Sequence, residues 1–566
     1  MADIAEGLIA RAEAWLDQDP DPETRAELEA LLAGAREGDA GAETELHDRF
    51  DSRLDFGTAG LRGEIAAGPN RMNRVLVSQA AAGLAAFLTE RAAEGEAPSA
   101  VIGYDGRRNS HVFAEDSAAI LAGAGVRAIL LPRLLPTPVL AFAVRHLGAS
   151  AGVMVTASHN PPNDNGYKVY LGGDDHGSQI VSPVDREIAD RILHVAAGTQ
   201  VPLLPRGEFE TADESVVDAY VAATAAVALP PRAQPVTVYT AMHGVGWEVT
   251  RRVLQVAGFD EPAVVAEQID PDPAFPTVAF PNPEEPGAMD LALARGREVG
   301  ADLVIANDPD ADRLAIAIPD PADASGYRKL TGNEIGQLLG WRQAELAAAD
   351  ATGDRGADGT LACSIVSSPA LGVIAREYGL DFRETLTGFK WISRAPDLVF
   401  GYEEALGYLV NPGTVRDKDG ISAAVAFLSL AAELAADGRT VADRLDELAV
   451  RFGAFASGQV SLRFTDLSRI GELMARLRAD PPARIGEVRV EQIDDFSDGF
   501  GDLPPSDVLR IRLEDGSRVM VRPSGTEPKL KAYLDAFSES GDAAERRATA
   551  AARVTALEQG MRALLG

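Results

Sequence analysis

The chain has 566 residues, with 53 Lys and Arg against 86 Asp and Glu for a formal net charge of -33; that length suits roughly three to five folding units. At 46% hydrophobic and 25% charged residues it has the composition of a globular protein able to bury several cores, which excludes wholesale disorder. A chain this negative repels phosphate backbones and anionic lipid, so nucleic acid and membrane are excluded as partners, and any anionic substrate needs a local basic pocket.

The one cysteine, Cys363, cannot close an intrachain disulfide, and the start carries acids where a signal peptide needs positive charge. These features predict a reduced, cytoplasmic protein. The longest charge-free apolar stretches, Leu134 to Val144 and Ile421 to Ala432, fall short of the ~20 residues a spanning helix requires. The 7 histidines have no HExxH spacing, which argues against zinc. None of the lysines (Lys168, Lys329, Lys390, Lys418, Lys529, Lys531) follows a glycine, so the GK[ST] of a P-loop is absent.

In chain order, residues 1–50 read as an Ala/Glu/Arg-rich helical cap, with helix expected at Leu8 to Trp15 and Glu23 to Arg36. A βαβ rhythm follows: helix Ser78 to Glu94, strand Ala100 to Tyr104, helix Ser110 to Ala124, strand Val126 to Leu131, then the apolar run Gly152 to Thr156. The Pro-rich stretch Leu229 to Pro235 reads as a linker. Beyond it come strand Val236 to Thr240, helix Trp247 to Val256, and strands Leu303 to Ala306 and Leu314 to Ile318 on either side of an acidic loop. A third alternating stretch carries strands Leu361 to Val366 and Leu398 to Tyr402. After Phe452, strands cluster at Gln459 to Phe464, Glu487 to Ile493, Val508 to Leu513 and Arg518 to Val521, with helices near Leu467 to Leu477 and Ala543 to Leu565. That order suggests a final α+β domain. The expected division is a cap at 1–50 and domains at 51–228, 229–331, 332–451 and 452–566.

Four loops carry chemistry. In Thr156 to Lys168, Ser158 and His159 follow an apolar strand, where open α/β sheets hold ligands. Pro161 and Pro162 bar helix, and Asn165 and Gly166 are expected to make turns. A serine there is a weak nucleophile unless a base or metal assists it. In Asn307 to Arg313, Pro309 excludes helix, and in an extended loop Asp308, Asp310 and Asp312 alternate and can converge on one hard divalent cation, Mg²⁺ first among them. An EF-hand fails, because Arg313 and Pro319 stand where its Gly and Glu belong. In Gly401 to Tyr408, the pair Glu403 and Glu404 suits bidentate acceptance from vicinal sugar hydroxyls, while Tyr402 and Leu406 read equally as core. In Arg522 to Lys529, a guanidinium fork, Ser524, Gly525, Thr526 and a lysine form a nest for a phosphate dianion.

In this order the four loops resemble those of the α-D-phosphohexomutase superfamily, the phosphoglucomutases and phosphomannomutases, over about Asp55 to Tyr533. Phe56-Gly-Thr-Ala-Gly-Leu-Arg-Gly63 is similar to that family's first signature, whose arginine, here Arg62, faces the catalytic serine. The variant is most similar to the long bacterial phosphosugar mutases and the animal enzymes that include phosphopentomutase. The resemblance implies an α/β protein of four domains around a central cleft, three α/β domains with mixed sheets and a C-terminal α+β domain hinged to close over substrate. It implies a phosphoserine at Ser158, Mg²⁺ held by Asp308, Asp310, Asp312 and a phosphoserine oxygen, and proton transfer by Lys168, with Arg62, Arg313 and His159 also catalytic. Lys390, Glu403 and Glu404 would bind sugar, and Arg522, Ser524, Gly525, Thr526 and Lys529 the distal phosphate. Sugar phosphates would be the partners and a sugar bisphosphate the activator.

Lys168 fits proton transfer because a lysine, unlike an arginine, can lose its proton when desolvated. Ala405 stands where many members have Ser, and no histidine follows His243, so glucose and mannose are not separated. The expected activity is interconversion of hexose 1-phosphate and 6-phosphate through a 1,6-bisphosphate. The alternatives are a phosphopentomutase, a glucose 1,6-bisphosphate synthase, a metal-dependent phosphatase and a non-catalytic sugar-phosphate binder.

Overall fold

The computed structural model describes residues 2–93, 95, 97–350, 358–464, 466, 468–524 and 529–565. The chain forms two compact units, Met1–Lys329 with Asn411–Ser429, and Leu330–Val410 with Leu430–Gly566. Among the described residues no single helix is long and apolar enough to cross a membrane.

The first unit opens with three helices, Ala2–Gln18, Pro22–Arg36 and Ala40–Phe50. Asp21 and Asp39 cap the second and third by accepting from the amides of Glu23 and Gly41, each cap worth about 1 kcal/mol. Sequence reasoning missed the third helix although Asp39 was its start signal. The buried faces of all three, including Leu8, Trp15, Leu28, Leu46 and Phe50, share one core with Val75, Ala81, Ile120 and Leu204 of the following domain.

That domain is built on a seven-stranded mixed sheet. Strand Asp164–Leu171 lies antiparallel between Leu61–Glu64 and Ala151–Val155, and the parallel run continues through Ser99–Tyr104, Arg127–Leu130 and Glu210–Thr211. Helices Arg74–Arg91 and Ser110–Gly123 cover it through Leu76, Leu84, Phe113 and Leu121. A five-stranded sheet follows, in which Leu303–Asn307 pairs parallel with Thr237–Thr240 and antiparallel with Leu314–Pro319. Every residue of those three strands except Pro319 is buried, as continuous apolar runs predict.

In the second unit, a four-stranded sheet pairs Thr360–Ser364 parallel with Asp381–Thr385 and Leu398–Glu403, and closes with the antiparallel hairpin partner Gly407–Leu409. The C-terminal sheet has six strands, all antiparallel. Helices Ser468–Ala479 and Ala543–Leu565 cover it through Met474, Leu477, Val554, Leu557 and Met561. A partly buried ionic lattice ties the two sheets together: Arg510 and Arg518 both reach Glu384, at 3.1 and 2.7 Å, while Arg510 also meets Asp494 and Arg518 meets Asp535. Four domains are thus present, the first three α/β with mixed sheets and the last α+β.

Candidate active site

Ser158 follows the fully buried strand Ala151–Val155 and sits in the left-handed region at φ 52°. Its amide donates to Thr156 Oγ1 at 2.9 Å, its hydroxyl donates to Asp308 Oδ2 at 2.8 Å, and His159 Nδ1 lies 3.1 Å from Oγ. The loop beyond differs from expectation. Asn165 and Gly166 make no turn but lie inside strand Asp164–Leu171, paired on both edges. Gly166 is required there, because a Cβ would stand 2.7 Å from the carbonyl oxygens of Leu61 and Thr156. The register sets Arg62 opposite Gly166, and Arg62 Nη1 donates to Asn160 Oδ1 at 3.2 Å.

The acidic loop is a tight turn rather than an extended run. Ala311 donates its amide to Asp308 O at 2.8 Å and takes φ 55°. The turn, not alternation along a strand, gathers Asp308, Asp310 and Asp312, which are all buried and offer carboxylate oxygens within 4.8 Å of one another. Lys168 Nζ meets Asp310 Oδ2 at 2.8 Å and Asp312 Oδ2 at 3.0 Å, and Thr137 Oγ1 donates to Asp310 Oδ2 at 2.7 Å. Asp310 Oδ1 and Asp312 Oδ1 are buried with no hydrogen-bond partner. Two orphaned anionic oxygens beside a third carboxylate fit a hard, oxygen-preferring divalent cation. The group can therefore bind a metal ion.

The electrostatics are one-sided without such an ion. Burial, with Asp310 and Asp312 alongside, pushes the Asp308 carboxyl well above the usual carboxylate range. Burial acts to raise Asp310 and Asp312 as well, but Lys168 overcomes it, aided at Asp312 by Lys418 and Arg313, and holds both below that range. Burial acts to lower the Lys168 ammonium, yet the two carboxylates hold it above its ordinary value. Ion pairing to Asp310 and Asp312 thus opposes the loss of the Lys168 proton that burial alone would favour. Burial, with Arg313 and Arg62 near, keeps the His159 imidazole neutral.

The remaining predicted residues lie in the second unit. Lys390 sits on the one-turn helix Phe389–Ile392 after Gly388, whose φ is 106°. Glu403 ends its strand in a tight hairpin; Tyr402 and Leu406 beside it are core, as their apolar reading allowed, and so is Tyr408. The two glutamates are not equivalent: Glu404 Oε2 accepts from the hydroxyls of Ser364 and Ser367, both at 3.0 Å. Arg522 is the penultimate residue of strand Arg518–Pro523, opposite Lys531, and Ser524 donates its amide to Lys529 O at 2.8 Å. Burial and Glu404 raise the Tyr533 hydroxyl, which also feels Arg522 and Glu403, and this puts the sugar-loop carboxylates and the phosphate-loop arginine in one neighbourhood. Gly525 and Thr526 lie outside the described residues.

Sequence reasoning missed Thr137 and Lys418. Lys418 Nζ lies 3.3 Å from Asp312 Oδ2, brought there by Asp417, which accepts from Tyr170 and Gln179, both at 2.9 Å. The rarity of lysine in this chain was a signal for it; a lone threonine beside Pro138 gives none.

Family models match along most of the chain. Described as Phosphoglucomutase/phosphomannomutase, they are alpha/beta/alpha domain I over residues 53–198, domain II over 218–321, domain III over 337–452, and the C-terminal domain over 473–553. A Haemophilus influenzae protein named "Probable phosphomannomutase" is 55% identical over 476 residues, 84% of this chain and 95% of its own. The mouse phosphopentomutase is 34% identical over 580 residues, 93% of this chain and 90% of its own. A solved phosphoglucomutase/phosphomannomutase family protein from Burkholderia thailandensis matches the fold with TM-score 0.69 at 20% identity, covering 91% of this chain and 98% of that one.

Proposed function

The chain belongs to the phosphoglucomutase/phosphomannomutase family of phosphate-moving mutases, and on that premise we propose that it interconverts hexose 1-phosphate and hexose 6-phosphate, glucose or mannose, with Ser158 as phosphoryl carrier. The observation that carries this reading is Ser158 Oγ held 2.8 Å from Asp308, within a buried cluster of three aspartates and Lys168. The domains are taken as 51–228, 229–331, 332–451 and 452–566 after the helices of 1–50.

Transfer from phosphorylated Ser158 breaks the bond between phosphorus and Oγ and makes one to a sugar hydroxyl oxygen. The sugar hydroxyl gives up a proton and Oγ gains one. His159, neutral and 3.1 Å from Oγ, and Lys168, held protonated, are the acceptor and donor at hand. The resulting 1,6-bisphosphate returns its other phosphoryl group to Ser158, so that a catalytic amount of sugar bisphosphate keeps the serine charged. Ser158, Asp308, Asp310 and Asp312 would hold Mg²⁺, which when bound draws charge from the phosphoryl oxygens. Arg62 and Arg313 add fixed positive charge toward the same group. Lys390, Glu403 and Glu404 are assigned to the sugar, and Arg522, Ser524, Gly525, Thr526 and Lys529 to the phosphate that does not react.

Turnover of glucose, mannose and ribose 1-phosphates with a glucose 1,6-bisphosphate primer tests the reading. Hexose 6-phosphate should form, dependent on primer and Mg²⁺. Release of inorganic phosphate alone, or no turnover, would remove it. The 34% identity to a phosphopentomutase over 93% of the chain favours a second reading, in which ribose 1-phosphate would be strongly preferred over both hexoses.

A further inference from the structure

Ser158 is aimed by its backbone. A non-glycine residue at positive φ is disfavoured, so something must hold it there. On its amide side the peptide is fixed by Thr156 Oγ1. On its carbonyl side the partner is Arg107, a residue 4% exposed that stands outside every motif singled out in the sequence. Arg107 Nη2 donates to the carbonyls of Ser158 and Asn160, both at 2.6 Å, and Nη1 donates to those of Pro161 and Asp164 at 2.8 and 3.1 Å. One planar fork thus collects four carbonyls from a single seven-residue loop, which a point-charge ammonium cannot do.

The guanidinium is itself immobilised. Its Nε faces Asp105 Oδ2 at 3.6 Å, while Asp105 Oδ1 accepts from the Arg107 amide at 3.0 Å and from Ser110 Oγ at 2.7 Å. Its carbon lies 4.9 Å from the ring centroid of Phe275. Phe275 closes a turn on Asp272, whose amide donates to His243 O at 3.0 Å, and the next residue, Gly244, is so close to the metal loop that a Cβ would lie 2.2 Å from Pro309 Cα. The clamp on the serine loop and the support of the aspartate loop are thus packed against each other.

Resting on the serine mechanism proposed above, we propose that Arg107 is a positioning residue of the phosphoryl transfer: it touches no substrate, and by gathering the four carbonyls it fixes the direction of Ser158 Oγ toward the aspartate cluster.

The test compares Arg107→Ala, Arg107→Lys and Ser158→Ala in the full chain, with circular dichroism and thermal midpoints as folding controls. Misdirecting Oγ by an ångström should lower kcat of Arg107→Ala by about 100-fold, with KM for the hexose phosphate within about threefold of wild type. Guanidinium ion added at millimolar concentration should restore part of the Arg107→Ala rate, saturably, and ammonium should not; a role in stability alone would respond to neither. Should Arg107→Ala fail to fold, Arg107→Lys decides, and it should fold and still lose kcat. A folded Arg107 variant with wild-type kcat, or with a raised KM and unchanged kcat, overturns the inference while an inactive Ser158→Ala leaves the serine mechanism standing. An active Ser158→Ala overturns both.

Discussion

Oγ of Ser158 and the side chain of Thr137 act on the same aspartate cluster from two sides, and each gives a direct test. On the mechanism proposed above, Ser158→Ala removes the phosphoryl carrier and with it the hydroxyl that donates to Asp308, so it should abolish turnover while the chain still folds, and mass spectrometry should locate partial phosphorylation of the wild type on Ser158. Thr137→Val keeps shape and deletes the buried donor to Asp310 Oδ2. On the Mg²⁺ site proposed above, losing the hydrogen bond that orients Asp310 should raise the Mg²⁺ concentration for half-maximal rate by about 10-fold, which a titration of initial rate against Mg²⁺ measures. Asp419, next to Lys418 in sequence, offers a test of pH dependence. Burial raises its carboxyl to about 6 against the hydrogen bonds from Ser422, Tyr220 and Ile421. A raised acid binds its proton more tightly folded than unfolded, so its contribution is full below pH 3.8 and is lost as pH rises through about 6. The stability of Asp419→Asn relative to wild type should therefore climb between pH 4 and 6.5, by at most on the order of 3 kcal/mol, read from urea midpoints across that range.

Strand Asp164–Leu171 does more for the site than any other element, since it holds Lys168 in its own length and Arg62 across one edge. Gly166→Ala would drive a methyl into two backbone carbonyls, and the strand beside it must give way. Arg62 and Lys168 should lose their places together, so kcat should fall by more than 10-fold or so while the thermal midpoint drops. The sequence does not announce this strand. Its Asn-Gly pair reads as a turn, and only long-range pairing with Arg62 and Gly63 overrides that local preference. Strands such as Leu303–Asn307 and Thr360–Ser364 were legible because burial on both faces leaves an unbroken apolar run. Ser158, the aspartate triad and the glutamate pair were legible from dense polar residues at strand ends. Arg107 and Thr137 were not, because what marks them is a contact with residues 51 and 173 positions away.

At the scale of the whole molecule, the first unit is not continuous in sequence: it takes Met1–Lys329 and then needs Asn411–Ser429. That later segment supplies Lys418 to Asp312, Asp417 to Tyr170 and Asp419 to Tyr220. It also sets Gly420, where a Cβ would stand 2.2 Å from Arg313 O, directly against the metal loop. Chains emerge from the ribosome N-terminus first, at about 5–20 residues per second. The serine and aspartate loops are thus both made well before the segment that completes their surroundings, and for that interval Tyr170 and Tyr220 lack their carboxylate acceptors Asp417 and Asp419. A chain ended at residue 330 should accordingly be prone to aggregation and resist refolding, whereas one ended at 429 should regain a protease-resistant first unit, as limited proteolysis of nascent-chain fragments of both lengths would register. Order of synthesis, rather than stability alone, would then decide when this protein acquires a metal-binding centre.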